Sequence, residues 1–236
     1  MLTNKKMEFL HNGKNLIFYY DDDYFKITTD NLALANFIKI KSKDKLLVEF
    51  GSGLMAIPLL LSTRTNIKIV GIEKDDKASK LSEMTIKDNH LEERIKVIND
   101  DINNLDKYFP INSIDVIVCN PPYFLLENES SVSNKDYLKM ARHEGNMTIE
   151  MIARLSKIYL KDGGSLFLIQ RADRLFEIRD VLIKNNLAIK ELQFIYHDLE
   201  KCGKLVLVEA RKSGKEHGLK VLKPIILEKE SSDVNG

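Results

Sequence analysis

The sequence contains no tryptophan and only two cysteines in 236 residues. Cys119 and Cys202 lie far apart and form no CxxC pair, which argues against a disulfide scaffold and a zinc knuckle. Reduced thiols in a reducing compartment are expected. No apolar run approaches the roughly 20 residues that span a bilayer. The opening stretch, MLTNKKMEFLHNGKN, has no apolar signal-peptide core. A cytoplasmic protein without membrane contact or a bound metal is therefore expected. An excess of charge of one sign is also missing, since 36 Lys+Arg against 35 Asp+Glu leave a net charge of +1. That balance neither demands nor excludes a nucleic-acid partner, and any basic face has to come from clustering. Internal repeats and low-complexity tracts are absent too. The Lys- and Asn-rich composition and the missing Trp reflect genomic base composition as much as function.

A hydrophobic content of 44% in 236 residues suits one α/β domain with small additions. Residues 15–27 read as two aromatic-rich strands around an Asp turn, so a β-hairpin over about 8–28 is expected before the core. Asp30 is a candidate N-cap for a short helix over 30–40. Apolar strands are then expected at 45–50, 67–73, 95–100, 114–120 and 165–170, with helices at 55–64, 75–90, 147–160 and 173–186. Two further strands, 189–197 and 204–212, share a short link without a helix, which suits an antiparallel final strand. Strands alternating with helices imply a mostly parallel sheet covered on both faces. The domain is expected to run over 1–225, with a polar, disordered tail at 226–236.

Four clusters carry chemistry. Glu49-Phe50-Gly51-Ser52-Gly53 follows the first core strand and opens a helix. Glycines there let the backbone turn tightly and approach a ligand beside a helix N-terminus. The Lys of a phosphate-binding P-loop is missing. Glu73 ends the second strand, where a carboxylate can accept from both hydroxyls of a ribose. Its alternative role is a solvated member of the charged run Glu73-Lys74-Asp75-Asp76. Asp100-Asp101 ends the third strand, and one of the two could bind the exocyclic amine of an adenine. Asp101, before Ile102, is favoured; helix N-capping is the alternative.

The most specific signal is Asn120-Pro121-Pro122-Tyr123 at the end of the fourth strand. The prolines stiffen the loop and remove two backbone donors. The Asn120 side-chain oxygen and the Pro121 carbonyl can then both accept from a substrate NH2. Tyr123 offers a flat face for a planar base or amide. A stacked base has to be turned out to reach it. Arg142-His143-Glu144 is either a substrate-loop cluster or a surface ion pair with a helix-start signal.

With these residues assembled, the chain resembles the class I methyltransferases over roughly 8 to 225. Within them it resembles the bacterial tRNA1(Val) adenine-37 N6-methyltransferases. The resemblance rests on Thr29-Asp30, Gly51-Ser52-Gly53, Gly71-Ile72-Glu73, Asp101-Ile102, Asn120 to Phe124, Ala141-Arg142-His143-Glu144 and the late Gly218-Leu219-Lys220-Val221-Leu222-Lys223-Pro224. It implies a Rossmann-like, seven-stranded sheet with an antiparallel last strand. It implies S-adenosyl-L-methionine as cofactor, S-adenosyl-L-homocysteine as product, and a tRNA anticodon stem-loop as partner. Thr29, Asp30, Glu49, Gly51, Ser52, Gly53, Glu73, Lys74, Asp101, Ile102 and Asn120 would hold the cofactor. Asn120, Pro121, Pro122 and Tyr123 would form the catalytic loop, and Tyr123, Phe124, Arg142 and His143 would meet the substrate. One departure concerns the cofactor loop: Met55 stands where the family carries a third glycine, which bears on loop geometry and cofactor affinity. Two alternatives remain: a glutamine N5-methyltransferase of release factors, and a non-enzymatic RNA-binding relative with a decayed cofactor site.

Overall fold

The computed structural model describes residues 5–22, 24, 26–121, 147–196 and 200–227. Their elements run β1 (Lys5–His11), β2 (Lys14–Tyr20), α1 (Thr29–Phe37), β3 (Leu46–Phe50), α2 (Ala56–Leu61), β4 (Lys68–Glu73) and α3 (Asp76–Asp88). Next come β5 (Ile95–Asn99), a 3-10 turn (Ile102–Lys107), β6 (Ile114–Cys119), α4 (Ile149–Tyr159) and β7 (Leu160–Arg171). A 3-10 turn (Ala172–Arg174), α5 (Leu175–Lys184), β8 (Leu187–Tyr196) and β9 (Leu205–Lys212) follow, with the two-residue strands β10 (Lys220–Val221) and β11 (Ile225–Ile226).

The main sheet has the order β10-β8-β9-β7-β6-β3-β4-β5, with β11 also on β8. Its seven long strands are those read from the sequence, and β9 alone among them runs antiparallel to its neighbours. The strands bury both faces, which is why they read as unbroken apolar runs. Leu47, Ile69, Val116 and Phe167 pack against α1, α2 and α3. Val48, Val70, Ile117 and Leu166 pack against α4 and α5. After β5 the chain returns across the sheet to place β6 beside β3. That reversal opens a crevice at the carboxyl ends of β3 and β6.

The N-terminal hairpin exists, but not where the aromatic run suggested. Its turn is Asn12-Gly13, both at positive φ (48° and 74°), and β1 pairs β2 from Lys5↔Tyr20 to His11↔Lys14. Two successive left-handed residues make the turn that matches strand twist. The Asp run instead leads away from β2: Asp21 is buried and pairs with Lys77 at 3.0 Å. The late apolar piece Leu219–Leu227 lies along β8 as β10 and β11, and the Leu227 N–H donates to the Tyr196 carbonyl.

Helix α3 holds the hairpin. The Asn89 amide accepts from Ile17 N (3.0 Å) and donates to Ile17 O (2.6 Å), so it pairs with a strand edge as another strand would. Tyr19 adds a backbone bond to Thr85 Oγ1 and a hydroxyl bond to Asp88. Asn89→Ala leaves the Ile17 groups without these partners. It is expected to cost about 1–3 kcal/mol and to speed hydrogen exchange across residues 5–20. Unchanged exchange there would contradict this role.

Candidate active site

The crevice is a cleft of about 410 Å³ lined from four strand ends, the segment leading into α1 and the first turn of α1. The glycine loop forms its floor. Gly51 and Gly53 take positive φ (64° and 52°), and Met55 does too (61°). Gly51 N and Ser52 N both donate to Ile72 O, at 2.9 and 3.1 Å, which pins the loop across β4. Ser82 of α3 donates to the Gly53 carbonyl.

Met55 explains itself in this geometry. Its left-handed conformation, which glycine adopts freely, costs a side-chain-bearing residue about 1–2 kcal/mol. The side chain is buried and does not line the cleft, although Leu54 and Ala56 do. It runs beneath the loop into space vacated at Gly71, where a Cβ would lie 2.1 Å from Met55 Sδ and 2.5 Å from Ser52 Oγ. The missing third glycine is thus accommodated on the far side of the loop.

Two carboxylates stand behind the loop. Glu73 Oε2 accepts from Gly53 N (2.8 Å) and Oε1 from Asp75 N (2.9 Å), so both oxygens are oriented and keep a lone pair. Glu49 is buried, and its Oε2 has no hydrogen-bond partner among the described residues. Burial, with the charge of Glu73 second, pushes the Glu49 carboxyl well above its ordinary range. Such a group lacks a cation: an ammonium placed there would satisfy Oε2 and restore its charge. The amino-acid end of S-adenosylmethionine carries that ammonium, so the residues present fit the cofactor.

At the end of β5 the two aspartates differ. Asp100 accepts from Tyr108 Oη, Asn104 Nδ2, Asp101 N and Lys107 Nζ. Those bonds, Tyr108 first, hold its carboxyl well below the usual range. Asp101 caps the following 3-10 turn through Oδ1, which accepts from Asn103 N and Nδ2. Its Oδ2 has no partner among the described residues, so capping and ligand binding are compatible roles.

Other expected residues distribute as follows. Asp30, Lys74, Ile102, Asn120 and Pro121 line the cleft, whereas Thr29 does not. The α1 cap is Thr28 rather than Asp30: Thr28 Oγ1 accepts from Asn31 N, and Asn31 Oδ1 accepts from Thr28 N. Pro122, Tyr123, Phe124, Arg142, His143 and Glu144 lie outside the described residues. Tyr24, Lys26, Thr28, Asn31 and Met147 line the cleft without a sequence signal that named them. Met147 returns over the loop, so that a Cβ on Gly51 would lie 2.7 Å from its methyl. Tyr24 lies in a run read as a strand and donates its hydroxyl to Asp75 (2.6 Å). Cys119 is buried against Phe50 O, and its burial raises the thiol, which makes it a packing group and no nucleophile.

The Glu49 environment fixes a sign. The folded, ligand-free protein holds that proton more tightly than the unfolded chain, so this group lowers stability as pH climbs from the ordinary carboxylate range through the raised value. Glu49→Gln is expected to raise the melting temperature of the ligand-free protein at neutral pH, with the gain vanishing near about pH 4. A Gln variant that melts lower than wild type at neutral pH would contradict the assignment.

Known proteins resemble this chain in sequence and in fold. The model of the family described as "Methyltransferase small domain" matches residues 28–197. A tRNA1(Val) (adenine(37)-N6)-methyltransferase of Cytophaga hutchinsonii is 24% identical over 187 residues, covering 79% of this chain and 77% of that protein. A protein of the same name from Bacteroides thetaiotaomicron is 27% identical over 165 residues, covering 68% and 65%. Among solved structures, a protein described as a predicted O-methyltransferase from Agrobacterium tumefaciens superposes with a TM-score of 0.66 at 18% identity, covering 86% and 89%. The 16S rRNA N2 G1207 methyltransferase of T. thermophilus, solved with AdoMet and guanosine, gives 0.62 at 15%, covering 89% of this chain and 50% of that one. These likenesses fix the fold as that of the class I methyltransferases. No helix among the described residues is long and apolar enough to cross a membrane. With a family model covering most of its length, the chain belongs to the methyltransferase small domain family.

Proposed function

We propose that the cleft binds S-adenosylmethionine and methylates N6 of adenine 37 in the anticodon loop of a valine tRNA; the curated relatives are named as methyltransferases of adenine 37 N6 in tRNA1(Val). The observation that carries the reading is convergence. Asn120 and Pro121 leave β6 into the same cleft that Glu49, the glycine loop, Glu73 and Asp101 line.

When bound, the cofactor supplies an electrophilic methyl group on a sulfonium and leaves as S-adenosylhomocysteine. Glu49 Oε2 would take its ammonium, the Gly51–Gly53 backbone its amino-acid stem, and Glu73 its ribose hydroxyls. Asp101 Oδ2 would accept from its adenine amine, with Ile102 against the ring. Asp30 and Lys74 also line the cleft, and Thr29 would act only through the cap it follows.

The amine of an adenine is a weak nucleophile because its lone pair is delocalised into the ring. Two acceptors, Asn120 Oδ1 and the Pro121 carbonyl, favour a more tetrahedral nitrogen and aim its lone pair. Alignment does most of the remaining work, and the nitrogen, acidified once it carries the methyl, gives up its proton to water after transfer, so no strong protein base is required. Tyr123 and Phe124 would stack the turned-out base, and Arg142 and His143 would contact the loop that carries it. Phosphates would meet lysines and arginines without being read as sequence. A cytoplasmic location suits such a substrate.

The reading as a decayed RNA-binding relative loses its motive, because Met55 packs beneath the loop and leaves the cleft open. Release-factor glutamine remains the competing acceptor. Asn120→Ala is expected to cut methyl transfer to unmodified tRNA at least about 100-fold, the scale of one lost transition-state acceptor. Cofactor affinity should stay within a few-fold. Full activity in that variant would remove Asn120 from the mechanism.

A further inference from the structure

The acceptor side of the cleft has a second feature that methyl transfer does not use. Phe176, in the first turn of α5, is 79% exposed. Its sequence neighbours are charged: Arg171 and Arg174 precede it in the segment that leads into the helix, and Arg179 shares its helix face three residues on. The backbone bond from Ala172 N to Lys204 O brings the exposed Lys204 to the same rim. Among the described residues each arginine pairs with a nearby carboxylate of its own segment: Arg171 with Asp173, Arg174 with Glu177, Arg179 with Asp180. The Arg179 pair is exposed, and such a pair contributes little and exchanges readily onto a phosphate, which a guanidinium binds in two-pronged fashion; Arg171 and Arg174 are part-buried and share their carboxylates with solvent.

The rim is next to the reacting end of the sheet. Strands β6 and β7 are parallel, with Cys119 level with Leu168. Arg171 therefore lies about one residue beyond the level of Pro121 on the adjacent strand. Phe176 follows after one 3-10 turn and the start of a helix, roughly 10 Å further.

We propose that Phe176 is a stacking platform for an unpaired base flanking the target nucleotide, with Arg171, Arg174, Arg179 and Lys204 gripping the adjoining phosphates. A single flat ring among guanidinium groups suits nucleic acid. A protein-binding or membrane-binding patch would need contiguous apolar surface, and Glu177, Arg179 and Asp180 interrupt it here. The inference rests on the proposed tRNA substrate and adds a positioning role to it.

The test compares Phe176→Ala, Phe176→Trp and Arg179→Ala with wild type on unmodified tRNA carrying 2-aminopurine 3′ of the target. Phe176→Ala should raise the KM for tRNA about 5- to 100-fold, the range for one lost base–aromatic stack. The kcat, the cofactor affinity, the melting temperature and the slope of tRNA affinity with salt should not move. It should also abolish the 2-aminopurine quenching that wild type produces. Phe176→Trp should restore both. Arg179→Ala should reduce the salt slope by about one. A KM within twofold of wild type for Phe176→Ala would overturn the proposal. So would a self-associating wild type that Phe176→Ala makes monomeric with tRNA affinity unchanged. If wild type transfers no methyl to tRNA, the parent reading falls on its own, and the binding titration still decides Phe176.

Discussion

A buried carboxylate with one oxygen unpartnered is expensive, and Glu49 places one at the carboxyl end of the central strand. A second carboxylate, Glu73, adds to its cost. The cleft is therefore electrostatically unfinished as a protein surface, and a ligand that brings a cation would complete it. This constraint organises its surroundings. The glycine loop must bend back over the carboxylates, and the bonds from Gly51 and Ser52 to Ile72 O and from Gly53 to Glu73 hold it there. Stability given up inside the cleft is recovered in the two apolar layers that flank the sheet.

Topology supplies the second half. The return of the chain from β5 to β6 sets Asn120 and Pro121 beside the glycine loop, one strand spacing away. A group held on one side can thus meet a group held on the other without either strand moving. Met147 closes this junction, its methyl over Gly51 and its sulfur 3.3 Å from Cys119 Sγ. The docked hairpin and the Tyr24–Asp75 bond brace the opposite wall against α3.

Much of this was legible in the residues. Strands buried on both faces leave runs such as Leu46–Phe50 and Ile114–Cys119, which need no periodicity to recognise. The cleft residues on strand ends were legible for the same reason, because a strand that stops at Gly, Glu, Asp or Asn-Pro marks a sheet edge. Other features depend on contacts that no local pattern encodes. Asn12-Gly13 outranks the Asp run as a turn because both residues accept positive φ, whereas Asp21 is drawn inward by Lys77. Asp100 and Asp101 separate only through Asn104, Lys107 and Tyr108, which lie on the next turn. The place of the Met55 side chain depends on the space at Gly71, which no local pattern marks. Met147 belongs to no motif, and its place depends on where the chain returns.

The central claim is that this cleft directs a methyl group to the exocyclic nitrogen of a tRNA adenine. The direct measurement is to incubate the protein with tritiated S-adenosylmethionine and total unmodified tRNA, then map the label by nuclease digestion and nucleoside analysis. The account predicts label as N6-methyladenosine at position 37 of a valine tRNA, the site that names the curated relatives. Label at any other tRNA atom, or no label in tRNA at all, would contradict it.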